Sequence, residues 1–528
     1  MATFETLLVL VAFCVLLAVL AQRLNLPVAV PLVLGGMGLA LIPGLPQIQL
    51  DPELALALFL PPLLQISAYR TDWPAFRSNL RSILLLAVGA VFFTAAAVAL
   101  VARWILPDLP WWAAIALGAI VAPPDAVAAS SVLKQFKLPK RIVIVLQGES
   151  LINDASSLVL YRFAVAAVAV GTVSYSQGVL QFFGMAIGGA AIGWATGRVC
   201  MWVLAKVNDT MLDITVSILA GFAAYLAAEA LHASGVLGAV ACGLILGRKQ
   251  HAEFTARTRL ELNAVWNFVE FLLASLVFML IGLQLRGIVQ RLSSQHLGHL
   301  VALAVAVAAT LMLSRFIWVF ASAWLPRLAF KRLQVLHPIQ PWTHHTVISW
   351  AGMRGVVSMA AALALPGNFP GRDTIVFLAF CSIFATLVVQ GTTLGWLVRK
   401  LDVVEPEHAA PEPEEAKARS EIADAALEAV KSHLGNHDGT AQTEHSAAAT
   451  ELIDEYETRA ERANPQGIDP EEKSDQRIAL QRLRLVAIEA ARGKLLQHTD
   501  QVDMETHRAL AEELDLEEQQ IRNALGEA

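Results

Sequence analysis

The chain has 528 residues, 56% hydrophobic and 16% charged, with a mean hydropathy of +0.56 and a formal net charge of −6. So apolar a composition excludes an ordinary soluble globular protein, and repeated apolar windows of about 20 residues indicate a polytopic membrane protein. The charge is divided: residues after Val404 hold 29 acids and 13 bases, the part before them 16 and 26.

The opening M-A-T-F-E-T lacks the basic region of a cleavable signal, so the first apolar run is expected to stay as a span. Spans are read at roughly 4–21, 26–45, 52–68, 81–103, 111–133, 142–170, 177–203, 211–231, 235–247, 265–285, 299–323, 344–366 and 374–398, about thirteen in all. With the N-terminus outside, 18 Lys and Arg fall in cytoplasmic segments and 4 (Arg103, Arg286, Arg291 and Arg372) outside. That bias predicts an odd number of spans and a cytoplasmic C-terminal tail. Cys14, Cys200, Cys242 and Cys381 lie in apolar runs without metal spacing and read as packing residues.

Prolines punctuate the spans. Pro61-Pro62 is expected to interrupt the third, and Pro123-Pro124-Asp125 the fifth, because proline removes a donor and crowds the preceding turn. Gly352, Arg354 and Gly355 make the twelfth the second broken helix. Non-helical backbone at membrane depth survives only inside protein or along a cavity, so such breaks mark ion sites. The seventh span carries Gly184, Gly188, Gly189, Gly193 and Gly197, a small-residue ladder that reads as a packing face.

The domain reading is a transmembrane unit over 1–403, a Pro/Glu linker over 404–415 and an acidic helical cytoplasmic tail over 416–528. Tail helices are expected near 416–434, 443–463, 470–497 and 500–525.

The stretch Q-G-E-S-L-I-N-D-A-S-S-L-V-L-Y-R, Gln147 to Arg162, concentrates the chemistry. Its acids Glu149 and Asp154 sit in a membrane-length apolar run, where a lone Asp costs about 2.5 to 3.5 kcal/mol. At helical spacing Glu149 and Asn153 share one face, and Ser150 and Asp154 the next. Carboxylates and serine hydroxyls are hard oxygen ligands suited to an alkali cation, and Asp125 on the broken fifth span adds a second carboxylate. Arg315 and Arg354 are the buried cations, and one of them is expected to neutralise Glu149. Glu229 and Glu270 read as structural or helix-end residues.

Four motifs in order, F-L-P-P-L-L at 59–64, A-P-P-D-A-V-A at 122–128, G-E-S-L-I-N-D-A at 148–155 and W-A-G-M-R-G-V-V-S at 350–358, resemble the monovalent cation:proton antiporter family. This family holds the bacterial NhaP-like and animal sodium/proton exchangers, and the resemblance covers about residues 4–400. It implies an all-α polytopic fold of thirteen spans with inverted repeats and two broken crossing helices, in a homodimer. It implies that Asp154 binds Na⁺ and H⁺ in turn beside Asn153, with Ser150 as a further ligand of the monovalent cation and Asp125 near the site. It also implies that Glu149 pairs with a buried arginine. Arg315 is favoured over Arg354, because the eleventh span lies beside the sixth in this fold. Two departures leave Na⁺, K⁺ or Li⁺ preference open: Q-I-S-A follows Leu64 in the third span, leaving Gln65 and Ser67 as polar groups where some archaeal members have a carboxylate shortly after the Pro-Pro, and Pro124 replaces a hydroxyl residue before Asp125.

Removal from water disfavours a bare carboxylate, so Asp154 would carry either a proton or a cation. A site that crosses only when occupied exchanges one for the other, without a cofactor and without catalysis of an enzymatic kind. No G-x-x-x-x-G-K-[ST] is present, so an ATP-driven pump is not expected. The expected function is electroneutral Na⁺/H⁺ exchange across the plasma membrane for pH and sodium homeostasis, with lipid around the spans and no nucleic-acid partner. The competing readings are a K⁺/H⁺ antiporter, a channel or anion-coupled carrier on a similar fold, and a membrane-anchored cytoplasmic sensor.

Overall fold

The computed structural model describes residues 2–24, 26–43, 52–133, 136, 138–170, 175–207, 209–254, 256–291, 297–329 and 340–403, and in the tail 424–425, 427–428, 453, 481–491, 514–522 and 525. Among the described residues every regular element is helical. Two units divide the chain, Met1–Val404 and Glu405–Ala528. The linker and most of the expected tail helices lie outside the described residues; helix is present over 481–491 and 514–522.

In the first unit the helices are α1 (Ala2–Arg23), α2 (Ala29–Ala40), α3 (Pro52–Tyr69), α4 (Trp73–Ile105), α5 (Trp111–Val121), α6 (Ala126–Leu133), α7 (Lys140–Val170) and α8 (Tyr175–Leu204). There follow α9 (Thr210–Ala230), α10 (Gly235–Glu253), α11 (Ala256–Leu283), α12 (Leu285–Arg291), α13 (Leu297–Ala329), α14 (Trp342–Trp350), α15 (Val356–Leu363) and α16 (Arg372–Lys400). Among the described residues seven helices are long and apolar enough to cross a membrane, and four shorter apolar ones accompany them. This is a multi-pass membrane protein. Large apolar side chains such as Leu16, Trp104, Ile187 and Val305 face outward, as a lipid solvent allows.

Some boundaries differ from the sequence reading. α3 runs unbroken through Pro61 and Pro62, so the expected interruption is absent. Proline's missing donor costs one hydrogen bond per ring, and packing of the buried Phe59, Leu60 and Leu64 holds the helix together across it. α4 starts at Trp73, eight residues ahead of the expected 81. Asp72 caps it by accepting from the Ala75 N–H at 3.1 Å, with Pro74 in the first turn, and a π-helical stretch Leu85–Ala90 carries it on. α10 is longer than expected, reaching Glu253 from a Ser234 cap.

The glycine ladder of α8 packs within the protomer. A Cβ on Gly189 would strike the Ser234 carbonyl, one on Gly193 the Gly238 carbonyl, and one on Gly197 the Ile245 side chain at 3.2 Å, so α8 and α10 approach backbone to backbone. Gly184, by contrast, faces open space.

Candidate functional site

The other two expected breaks become unwound backbone. Between α5 and α6 the chain leaves the helix over 122–125, and between α14 and α15 over 351–355. The two segments meet: the Asp125 N–H donates to the Met353 carbonyl at 2.7 Å, and the Asp125 carboxylate lies against Gly355, where any Cβ would collide with it. Glycine at 355 is therefore a condition of the crossing.

α7 passes beside this crossing and is stitched to it. Asn153 Nδ2 donates to the Pro124 carbonyl at 2.8 Å, and Ser157 Oγ donates to the Ala119 carbonyl at 2.8 Å. Proline-rich turns free carbonyls, and these side chains occupy two of them.

A cavity of about 60 Å³ opens between α3, α7, α11 and the two unwound segments. Asp154, Ser150, Asp125, Ser67 and Ser358 supply its polar wall, and Leu60, Leu64 and Phe278 much of its apolar wall. Asp154 is buried, at 7% exposure. The volume holds a dehydrated or partly hydrated monovalent cation but no organic solute. Ser150 and Asp154, one turn apart on α7, face the same space, as their spacing requires.

Asn153 lies on the neighbouring face of α7, as its helical spacing from Ser150 and Asp154 requires. It is fully buried, its amide is turned to Pro124, and it does not line the cavity. The freed carbonyl is the stronger attraction for its N–H. Ser358, which sequence reasoning missed, lines the cavity with a buried hydroxyl that lacks a hydrogen-bond partner among the described residues. Its sequence signal was its place at the end of the W-A-G-M-R-G-V-V-S motif, just after the second break.

Charge balance involves α13. Arg315 Nη1 and Nη2 donate to Glu149 Oε1 and Oε2 at 2.5 and 2.8 Å, and Arg315 also donates to the Ile348 carbonyl. Arg354 makes no ion pair with Glu149 among the described residues, a correction to its reading as a salt-bridge partner. Its Nε donates to the Val121 carbonyl at 2.7 Å and its Nη1 to the Gly352 carbonyl, because broken-helix oxygens lie closer to it. Glu229 pairs with Arg162 at 2.9 Å, and Glu270 with Arg70 at 2.8 Å.

A helical membrane bundle with crossed unwound segments, and a small cavity walled by two carboxylates, defines a secondary transporter for a small cation. The description "Sodium/hydrogen exchanger, transmembrane" matches residues 9–400, and the chain belongs to that family of Na⁺/H⁺ antiporters. It is 33% identical over 526 residues to an uncharacterised Na⁺/H⁺ exchanger of Mycobacterium tuberculosis, covering 97% of this chain and 95% of the relative. It is 33% identical over 389 residues to a sodium, potassium, lithium and rubidium/H⁺ antiporter of Bacillus subtilis, covering 70% of this chain and 57% of that one. In fold it is similar to the sodium proton antiporter MjNhaP1 from Methanocaldococcus jannaschii, with a TM-score of 0.61 at 18% identity over 77% of this chain and 99% of that one.

Proposed function

We propose that Asp154 is the shared seat of Na⁺ and H⁺, and that the protein exchanges them one for one. The observation that carries this reading is the placement of the Asp154 carboxylate and the Ser150 hydroxyl on one cavity wall, opposite the crossed segments. Hard oxygens, a small cavity and a low-dielectric surround favour one monovalent cation competing with one proton.

In this reading Ser150 and Asp125 complete the cation's oxygen shell, with Ser358 added to it. Asn153 acts at one remove, by fixing Pro124. Glu149, Arg315 and Arg354 are structural: they keep α7, α13 and the unwound carbonyls in register. The membrane unit is 1–403, with thirteen spans in inverted repeats as a homodimer in the plasma membrane. Its N-terminus is outside, and the 404–415 linker leads to a cytoplasmic tail over 416–528 that tunes transport.

Asp154→Asn keeps the shape and removes the charge, so it is expected to abolish Na⁺-driven proton flux in proteoliposomes while the protein stays folded. Normal exchange by that variant sinks the assignment. A second reading, K⁺/H⁺ or Li⁺/H⁺ exchange at the same site, is favoured by the cation range in the name of the Bacillus subtilis relative. The same vesicles, driven in turn by Na⁺, K⁺ and Li⁺, decide between them.

A further inference from the structure

Apart from the cavity, α3, α9 and α11 meet along a second polar seam. Gln65 Nε2 donates to the Ser217 carbonyl at 2.6 Å, and its Oε1 lies against Gly221, where a Cβ would collide with it. The relative direction of the helices follows from other contacts. A Cβ on Gly243 would meet the Gln65 backbone and one on Gly247 the Tyr69 backbone, so α10 runs parallel to α3. Gly238 abuts Ala224, and Cys242 Sγ donates to the Ala220 carbonyl at 3.7 Å, so α10 runs antiparallel to α9. Hence α3 and α9 are antiparallel. One turn beyond Gln65, Tyr69 stands at the level of Asp213 and Ser217, which are themselves one turn apart. α11 arrives at that level too, because Arg70 binds Glu270 at 2.8 Å and Asn267 at 2.7 Å. Trp266, one residue before Asn267 on α11, belongs to the same buried cluster as Tyr69.

Five polar atoms in this seam are buried without a hydrogen-bond partner among the described residues: Gln65 Oε1, Tyr69 OH, Asp213 Oδ1, Ser217 Oγ and Trp266 Nε1. The residues that bear them are 0 to 7% exposed. More than nine in ten buried polar groups in proteins are satisfied, so five orphans in one seam call for an occupant. Asp213 sits in the first turn of α9, is 7% exposed, and makes no ion pair among the described residues. A buried, unpaired carboxylate is costly.

We propose that Asp213, Ser217, Gln65 and Tyr69 form a second monovalent-cation site, with Trp266 donating to a water in the ion's shell. Four of the five orphans are hard oxygens, and one carboxylate matches one positive charge, whereas a divalent ion calls for more. The seam has no unwound backbone, so it suits a resident ion that ties three helices together, not one in transit.

Equilibrium binding of ²²Na⁺ to the full-length purified protein tests this, with unlabelled K⁺ as competitor. Two ions per protomer are expected for the wild type, one for Asp154→Asn, one for Asp213→Asn and none for the double variant. If ordered water alone fills the seam, Asp213→Asn binds as the wild type does, and the proposal is overturned. Should Asp213→Asn fail to fold, Ser217→Ala and Tyr69→Phe each remove one ligand and are expected to weaken the second ion severalfold; no change in either overturns the proposal as well. The outcome is separable from the Asp154 reading: an Asp154→Asn protein that still exchanges counts against Asp154, while loss of an ion in Asp213→Asn still establishes the seam.

Discussion

Arg315 and Glu149, 166 residues apart in sequence, are joined at two points, with side chains 3% and 1% exposed. The pair ties α13 to the same helix that carries Asp154 five residues further on. Its geometry is the fork-to-fork arrangement that suits arginine better than lysine.

Removing the charge from one side of that pair leaves an unpaired guanidinium in the bundle. Glu149→Gln is therefore expected to lose about 3 to 5 kcal/mol of stability. A thermal unfolding series in detergent reads this directly, and a melting temperature equal to that of the wild type contradicts it.

Gly355→Ala places a methyl group where the Asp125 carboxylate now rests. The carboxylate must shift or the crossing must open. Exchange is expected to fall at least tenfold, with protein yield retained. Wild-type rates in proteoliposomes would show that Asp125 does not need its present place.

Asn153→Ala removes the donor to the Pro124 carbonyl but no cavity-lining group. The expected result is a less stable protein, by about 1 to 3 kcal/mol for the orphaned carbonyl, with weaker cation affinity and residual exchange. Complete loss of exchange with unchanged stability would instead make Asn153 a direct ligand.

One carboxylate cycling between Na⁺ and H⁺ moves equal charge in each direction. Exchange is expected to ignore the membrane potential when both chemical gradients are fixed. Proteoliposomes clamped with K⁺ and valinomycin provide the measurement. A rate that follows the sign of the potential means that a second group, Asp125 foremost, also titrates in the cycle.

A chain stopped after Val404 is expected to exchange ions with a shifted pH dependence. The 29 acids of the tail, against 26 bases and 16 acids before it, are the basis for this, because screened attraction between exposed charges acts over about 8 Å. An assembled but inactive truncation would give the tail a larger role than tuning.

Local chemistry made much of this molecule legible from its residues alone. Helical breaks at Pro123-Pro124-Asp125 and Gly352–Gly355 follow from proline's missing donor and glycine's freedom, which act within a turn or two. The facing of Ser150 and Asp154 follows from the period of a helix, and the membrane class from apolar windows. Local rules also misled: Pro61-Pro62 has the chemistry of a break, yet α3 passes straight through it.

Contacts between distant segments were decided only in three dimensions. Both Arg315 and Arg354 were charges in search of a partner, and nothing local separates them. Packing gave Glu149 to Arg315 and turned Arg354 to the Val121 and Gly352 carbonyls. Likewise Asn153 shares a helix with Asp154, but its amide answers to a carbonyl 29 residues away. The seam at Gln65, Tyr69, Asp213, Ser217 and Trp266 has no sequence signature at all, because its members come from three helices whose register depends on glycine contacts along α10. Sequence periodicity determines which face a side chain occupies; which neighbour that face meets depends on the cost of burying every polar group at once, and that sum exists only in the folded bundle.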